Sequence, residues 1–376
     1  MSDLVVDIVI VGAGIAGASA GYELASSCSV AIAEREDLAG YHATGRSAAL
    51  YTENYGIDVI RALTVASRPV LETPPAEFSA ESFLERRGVL WLANQSQRHL
   101  LGPALKQAEC FTDSARLIAA AEIGELCPLI KPGYAAGAIW EADAKDIDVS
   151  LLHQSYLRGF RRSGGRLLLD HQVTGLSREG GRWAVVTSAG TIGCDVVINA
   201  AGAWADQVAA LAGVERLGLT PMRRTALTID APTDLNVAAL PCVIDIDEEF
   251  YFKPDAGRLL ISPADETPTQ PADAQADEFD VAVAIDRFEQ VASLQVRTVR
   301  SKWAGLRTFA PDRGPVIGFD STAAGFFWLA GQGGYGIMTA PASSIAARSL
   351  LTAGKLDEGL ARHGLTSIAL SPDRFR

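Results

Sequence analysis

The chain opens on a nearly unbroken apolar run, Leu4 to Val11 (LVVDIVIV), rich in β-branched side chains, the pattern of a strand covered on both faces. A glycine turn from Gly12 to Gly17 stops the run, and a helix-compatible stretch, Ala18 to Ala25, follows. A second apolar run, Val30 to Ala33, ends at Glu34, 22 residues after Gly12. Strand, glycine turn, helix, strand and acid make a βαβ unit. Farther on, Arg166 to Val173, Trp183 to Thr187 and Asp195 to Asn199 read as strands separated by glycine-bearing turns. The segment Gly325 to Met338 (GFFWLAGQGGYGIM) reads as a strand and a glycine-rich turn that lead into a helix through Leu351. No repeat of fixed period is visible.

Composition narrows the class. At 376 residues and 48% hydrophobic content the chain has material for two to three domains' worth of core, which argues against disorder. Acids outnumber bases 45 to 33, a net charge of −12, so the chain lacks the basic footprint that nucleic acid or an anionic membrane selects for. Five scattered cysteines, Cys28, Cys110, Cys127, Cys194 and Cys242, form no CxxC pair and no Cys/His cluster, which fits a reducing compartment and excludes a zinc site. No metal is expected. Asp3 and Asp7 stand where a secretory leader carries Lys or Arg, and the longest uncharged run, Ser321 to Ala347, is broken by five glycines. The expectation is a cytoplasmic protein without a membrane span. Pro263 to Asp280 carries six acids, three prolines and no base, and reads as a solvated loop, with a mobile lid as the alternative.

The glycine turn is the first chemical signal. GxGxxG alone is a weak pattern, but here it follows a strand, opens a helix and has an acid at the end of the next strand. Gly12 permits the tight turn, Gly14 lets backbone N–H groups approach a pyrophosphate at a helix N-terminus, and Gly17 lets the helix pack close to the sheet. Glu34 is placed to accept from the ribose hydroxyls of an adenosine, which favours FAD or NAD over NADP. Glycine-rich strand ends recur at Val196 to Asp206 and at Gly325 to Met338. Three such turns from distant segments, converging on one long ligand, imply FAD, and a helix N-terminus at the pyrimidine end of the flavin would stabilise the anion formed on reduction.

Six segments in order, GAGIAGAS (from Gly12), GYHATGRSAA (Gly40), NAAGAWAD (Asn199), FYFKPDAG (Phe250), WAGLRTF (Trp303) and GQGGYGI (Gly331), give the chain a resemblance to the glycine-oxidase/D-amino-acid-oxidase family of flavoenzymes, and within it to the bacterial D-arginine dehydrogenases. The resemblance implies an α/β (α+β two-domain) fold, with a Rossmann-like FAD-binding domain from residues 1–82, 146–218 and 301–376. The substrate domain, from residues 83–145 and 219–300, would be built on an antiparallel sheet. It assigns the cofactor to Gly12, Gly14, Ile15, Ala16, Gly17, Glu34, Arg35, Ser47, Ala48, Val173, Ala201, Gly202, Trp204, Gly333, Gly334, Tyr335, Gly336 and Ile337. Arg224 and Arg307 match the positions that hold a substrate carboxylate, Tyr55 and Tyr251 the tyrosines that touch its carboxylate and amine, and Gly334 the carbonyl that meets the amino group. A guanidinium fork suits a carboxylate physically as well. Arg223 adjoins Arg224, and from sequence either can be the inward one. With no cysteine after Cys242, the covalent flavin link of some relatives is absent and a dissociable FAD is expected.

Two departures bear on the substrate. A histidine of the D-arginine enzymes is Leu50 here, and the glutamate that pairs with the substrate guanidinium aligns with Gly88. A buried cationic side chain would then lack its partner. The expected substrate is a D-amino acid with a neutral or apolar side chain, in a pocket lined by Leu50, Thr52, Gly88, Ile244 and Met338, with Glu53, Glu85 and Asp245 as the candidate acids to replace the missing one. The implied reaction is hydride transfer from Cα to flavin N5, followed by hydrolysis of the imino acid to a 2-oxo acid and ammonia. The same clamp also serves secondary amino acids of sarcosine or proline type and 2-hydroxy acids, and a non-catalytic flavin-binding subunit is a third reading. The electron acceptor stays open among a quinone, an artificial acceptor and O2. His42 can approach the cofactor or simply pack; His99, His153, His171 and His363 are read as sitting in polar surroundings without chemistry.

Overall fold

The computed structural model describes residues 4–376 and divides the opening apolar run between two sheets. Leu4–Val5 pairs in parallel with Gly190–Cys194, whereas Ile8–Val11 lies inside a six-stranded sheet. The division falls at the polar interruption of the run. Asp7 accepts hydrogen bonds from the backbone and hydroxyl of Ser29 at 2.7 and 2.6 Å and fixes the chain where it changes partners.

The six strands run in the order Arg166–Leu168, Val30–Ala33, Ile8–Val11, Val196–Asn199, Phe326–Ala330 and Val316–Phe319, parallel except for the last pair. Successive side chains of the second and third strands enter two different cores. Ile8, Ile10 and Ile32 pack with Phe160 and Ala346, while Val9, Val11, Ala31 and Ala33 pack with Val185, Val208 and Trp328. Burial on both faces is why the sequence shows a continuous apolar run instead of alternation. The expected strand Arg166 to Val173 ends at Leu168, and a new strand, Val173–Glu179, begins in another sheet. The first helix, Ile15–Leu24, starts three residues earlier than expected, because Thr44 Oγ1 accepts from Ile15 N–H at 2.9 Å and caps it inside the glycine turn. Gly17 therefore lies within the helix, and a Cβ there would fall 1.9 Å from Gly12 O. The expected C-terminal helix is Ala340–Ala353.

The second large sheet has ten strands. From the cofactor side its order is Gln332–Gly333, Val299–Phe309, Thr220–Ile229, Arg258–Ser262, Tyr251–Asp255, Cys242–Asp245, Val89–Asn94, Ala135–Glu141 and Ala115–Ile118, with Thr267–Pro268 added on Thr220–Ile229. All pairs are antiparallel except Cys242–Asp245 with Val89–Asn94. The helix Glu278–Val291 covers one face through Val281, Ala284 and Phe288. Val299–Phe309 pairs with Thr220–Ile229 along its length, so it belongs wholly to this sheet and crosses residue 301, where the expectation set a boundary.

The acidic segment is irregular and largely exposed up to Asp277, as expected of a solvated loop, but it is tied to the sheet and the helix that follow. Asp265 accepts from the backbone and hydroxyl of Thr225 at 2.6 and 3.1 Å, Thr267–Pro268 extends the sheet, and Asp277 caps the helix Glu278–Val291 by accepting from Phe279 N–H at 2.9 Å. Its acids are used as caps and ion-pair partners, which composition cannot reveal. Among the described residues no helix is long and apolar enough to cross a membrane, and all five cysteines are free.

Near the end of the chain, Asp320 is 4% exposed and accepts from Trp328 Nε1 at 3.0 Å, from Thr322, and from Arg376 Nη1 at 3.0 Å. Burial works against its ionisation, but Arg376, Thr322 and Trp328 outweigh it and bring the carboxyl down to about 2. A depressed folded-state value means stability that is complete above the unfolded value of about 3.9 and lost as pH falls from about 4 to about 2. Asp320→Asn should therefore lower the melting temperature near neutral pH by about 5 °C, with the gap to wild type closing over that acid window in thermal melts.

Candidate active site

A single cavity of about 520 Å³ runs from the glycine turn to the face of the antiparallel sheet, a volume suited to a cofactor. At its first end Gly12 has φ +102°, and a Cβ there would lie 2.6 Å from Ala200 O, so strand, turn and the Ala200–Trp204 segment meet backbone to backbone. Glu34 is buried; its Oε2 accepts from Ala13 N–H at 2.7 Å and its Oε1 from Glu36 N–H at 3.0 Å. Those bonds aim the carboxylate along the cavity wall. The Arg35 guanidinium lies 4.8 Å over the Trp204 ring, and His42 packs 4.6 Å from that ring while bonding Glu36 at 2.8 Å. His42 thus packs and hydrogen-bonds.

Two other histidines support this end. His153 is buried, not in polar surroundings as expected: its Nε2 meets Ala13 O at 2.9 Å, its ring edge abuts Gly40, and burial pushes its pKa below the ordinary histidine value, which keeps it neutral. His171 lines the cavity, with its N–H donating to Glu34 O at 2.7 Å. Neither has a sequence signal, because both reach the turn from distant segments.

At the other end strand register makes the chemistry. Arg224 stands opposite Gly305, and Arg307 opposite Met222, on neighbouring strands. Residues two apart share a face, so both guanidinium groups emerge on the same side, toward the cavity they line together with Tyr251. Arg223 takes the other face and pairs with Asp280 at 2.8 Å, which resolves which of the two neighbours points inward. Tyr55 Oη lies 3.4 Å from Arg307 Nη1. Burial opposes the Arg307 charge, yet the oxygens of Tyr55, Tyr251 and Tyr335 around it hold its pKa above the usual arginine range. A Cβ on Gly334 would fall 2.8 Å from Arg307 Nη1, so backbone alone fits against the guanidinium.

Of the expected cofactor residues, Gly12, Gly14, Ile15, Ala16, Glu34, Arg35, Ser47, Ala48, Val173, Ala201, Gly202, Trp204, Gly333, Gly334, Gly336 and Ile337 line the cavity. Gly17 and Tyr335 do not: Gly17 packs the helix on Gly12, and Tyr335 stacks edge-on against Tyr55 at 5.0 Å. The helix Ala340–Ala353 lends no free N-terminus to the wall, since Ala342 N–H donates to Ser67 Oγ at 3.1 Å and the turn before it supplies the lining.

The expected side-chain pocket is placed differently. None of Leu50, Thr52, Gly88, Ile244 and Met338 lines the cavity. Leu50 and Ile244 gather with Tyr55 in the apolar cluster around Trp91, next to the clamp. Thr52 is fully buried and donates to Glu141, whose carboxyl burial pushes up to about 7. Met338 is core, packed with Ile15 and Tyr51. Gly88 has φ +71°, and a Cβ there would strike Trp140 at 2.1 Å. The nominated acids are spoken for or misplaced: Glu53 accepts from Tyr51 at 2.6 Å, Asp245 from Gln97 at 3.0 Å, and Glu85 is exposed on a strand edge. Two acids that sequence reasoning passed over lie near the arginine pair, although neither lines the cavity. Glu248, exposed at φ +58° in the turn before Tyr251, is close enough for the charges of Arg224 and Arg307 to act on it; Glu266 pairs with Arg224 at 3.3 Å.

A family model described as DAO, FAD dependent oxidoreductase, matches residues 7–349. The chain belongs to this family. FAD is its cofactor, and the glycine cradle, the buried acid and the continuous slot are residues that fit it. The chain is 26% identical over 385 residues to hydrogen cyanide synthase subunit HcnC of Pseudomonas aeruginosa, covering 90% of each, and 25% identical over 360 residues to glycine oxidase of Pseudomonas putida, covering 92% of this chain and 94% of that one. Its fold is shared with L-proline dehydrogenase of P. horikoshii (TM-score 0.81, 21% identity, 99% and 98% of the two chains) and with FAD-bound L-α-glycerophosphate oxidase of Mycoplasma pneumoniae (TM-score 0.83, 18% identity, 92% and 94%).

None of the five cysteines lines the cavity, so acid precipitation should release the yellow colour into the supernatant; colour kept in the pellet would show a covalent link. Gly12→Ala should destabilise the chain, seen as a lower melting temperature, and whatever folded protein is recovered should carry less than about a tenth of the wild-type flavin, read as the ratio of flavin to protein absorbance.

Proposed function

We propose that this flavoenzyme oxidises the free amine form of a D-amino acid with a neutral or apolar side chain, giving the 2-oxo acid and ammonia. The observation that carries the proposal is the pair Arg224 and Arg307 on one sheet face at the end of the FAD slot, with the Gly334 backbone against the Arg307 guanidinium. An α-carboxylate forked by Arg307 is fixed in two directions, and Arg224 supplies a second contact. Tyr55 and Tyr251 border the bound carboxylate, and the Gly334 carbonyl accepts from the amine. FAD, when bound, supplies the acceptor for the hydride leaving Cα. The imino acid so formed is hydrolysed by water after release. The apolar grouping of Leu50, Ile244, Trp91 and Tyr55 beside the clamp supports a neutral side chain. Gly88, where a Cβ would strike Trp140, also supports a neutral side chain, since that position offers no acid to a substrate cation. The relatives named glycine oxidase and, in fold, L-proline dehydrogenase support a second reading, oxidation of glycine-like or secondary amino acids on the same clamp.

Steady-state turnover with an artificial electron acceptor distinguishes these readings. D-leucine or D-phenylalanine should exceed D-arginine, the L-enantiomers, sarcosine and 2-hydroxy acids in kcat/KM, and a clear preference for D-arginine would sink the substrate proposal. Arg307→Met should lower kcat/KM on the best substrate by about 100-fold or more.

A further inference from the structure

Arg224 does not present a free fork. Its Nε donates to the Asp265 carbonyl at 2.7 Å and its Nη2 to Glu266 Oε1 at 3.3 Å, so Nη1 is the nitrogen left without a hydrogen-bond partner among the described residues. Glu266 is itself anchored from the far side. Arg313 Nη2 donates to both of its oxygens, at 2.9 and 3.0 Å, and the Arg313 guanidinium lies 4.0 Å over the Phe309 ring. One carboxylate thus bridges two cations, and of the three groups Arg224 is the one that lines the slot. The Asp265 carbonyl fixes the Arg224 side chain independently of Glu266, so Glu266 contributes its charge and its occupation of Nη2 more than its support.

We propose that Glu266 is a specificity-determining counter-ion of the clamp: held by Arg313, it occupies Arg224 Nη2 and restricts the site to substrates with a single carboxylate. The inference rests on the reading of Arg307 and Arg224 as a carboxylate clamp. A ligand with one carboxylate takes Arg307 and the remaining Arg224 nitrogen. A second carboxylate on the ligand meets the negative charge of Glu266 where it would need Nη2, and like charges at that distance repel. Arg313 sets how fully Glu266 is shared: without Arg313 the carboxylate has Arg224 alone to pair with, and the clamp loses more of its positive charge.

The test titrates the FAD-loaded enzyme with acetate and with malonate, each followed by the change in the flavin absorption spectrum. Wild type should bind acetate more tightly than malonate. Glu266→Gln should tighten both, malonate by about threefold more than acetate, and Arg313→Met should weaken acetate. Glu266→Asp should restore the wild-type preference. A merely structural role would move the Glu266→Gln and Arg313→Met affinities in the same direction, and that result, or an unchanged malonate-to-acetate ratio in Glu266→Gln, overturns the proposal. Should Glu266→Gln not fold, a tighter or unchanged acetate affinity in Arg313→Met is enough to overturn it. Arg307→Met separates the two levels: if it binds acetate as wild type does, the clamp reading falls and the proposal with it, whereas loss of acetate binding there beside an unaltered Glu266→Gln ratio removes the proposal alone.

Discussion

At Gly12 the first strand, the first helix and the Ala200 segment come within reach of one another only because there is no side chain between them. A Cβ at Gly12 would sit 2.6 Å from Ala200 O, and one at Gly17 would sit 1.9 Å from Gly12 O. Other features follow from that close approach. Ala13 N–H is taken by Glu34, and Ala13 O by buried, neutral His153. With Gly12 N–H on Ala33 O and Ile15 N–H on Thr44 Oγ1, the turn is held by partners from distant parts of the chain.

The second constraint is register. Pairing of Thr220–Ile229 with Val299–Phe309 decides at once which of two adjacent arginines enters the cavity and that it enters beside Arg307. A slip of one residue would send Arg223 inward and bury a charge whose partners, Asp277 and Asp280, lie on the other side. The acidic segment then closes the arrangement. Glu266 pairs with Arg224, and Asp273 with Arg46 on the cofactor side, so part of the excess acid of this stretch is taken up by arginines that line the slot. The net charge of −12 therefore says little about the substrate.

Local signals were legible in sequence and long-range ones were not. The βαβ unit and the three glycine turns could be read because glycine and period carry them within a few positions, while most of the other cavity-lining residues came with the family resemblance. The outward or inward choice at Arg223 and Arg224, the brace from His153, and the acids Glu248 and Glu266 depend on which strands pair, and nothing within a window of residues records that. One expected pocket position was misplaced for a related reason. Gly88 aligns with an acid, but its left-handed backbone turns any Cβ into Trp140, so the position is a bend and not a wall of the pocket. The family resemblance supplied the clamp by position, and the register supplied the reason that those positions share a face.

The central claim, that the cofactor slot ends on a two-arginine face built to hold a carboxylate, is tested most directly by a crystal structure of the FAD-loaded enzyme with a non-reacting carboxylate ligand. The account predicts FAD lying along the slot from Glu34 to Gly334, with the ligand carboxylate forked by Arg307 and touched by Arg224. A carboxylate bound elsewhere, with Arg307 still paired only to Tyr55, would contradict it.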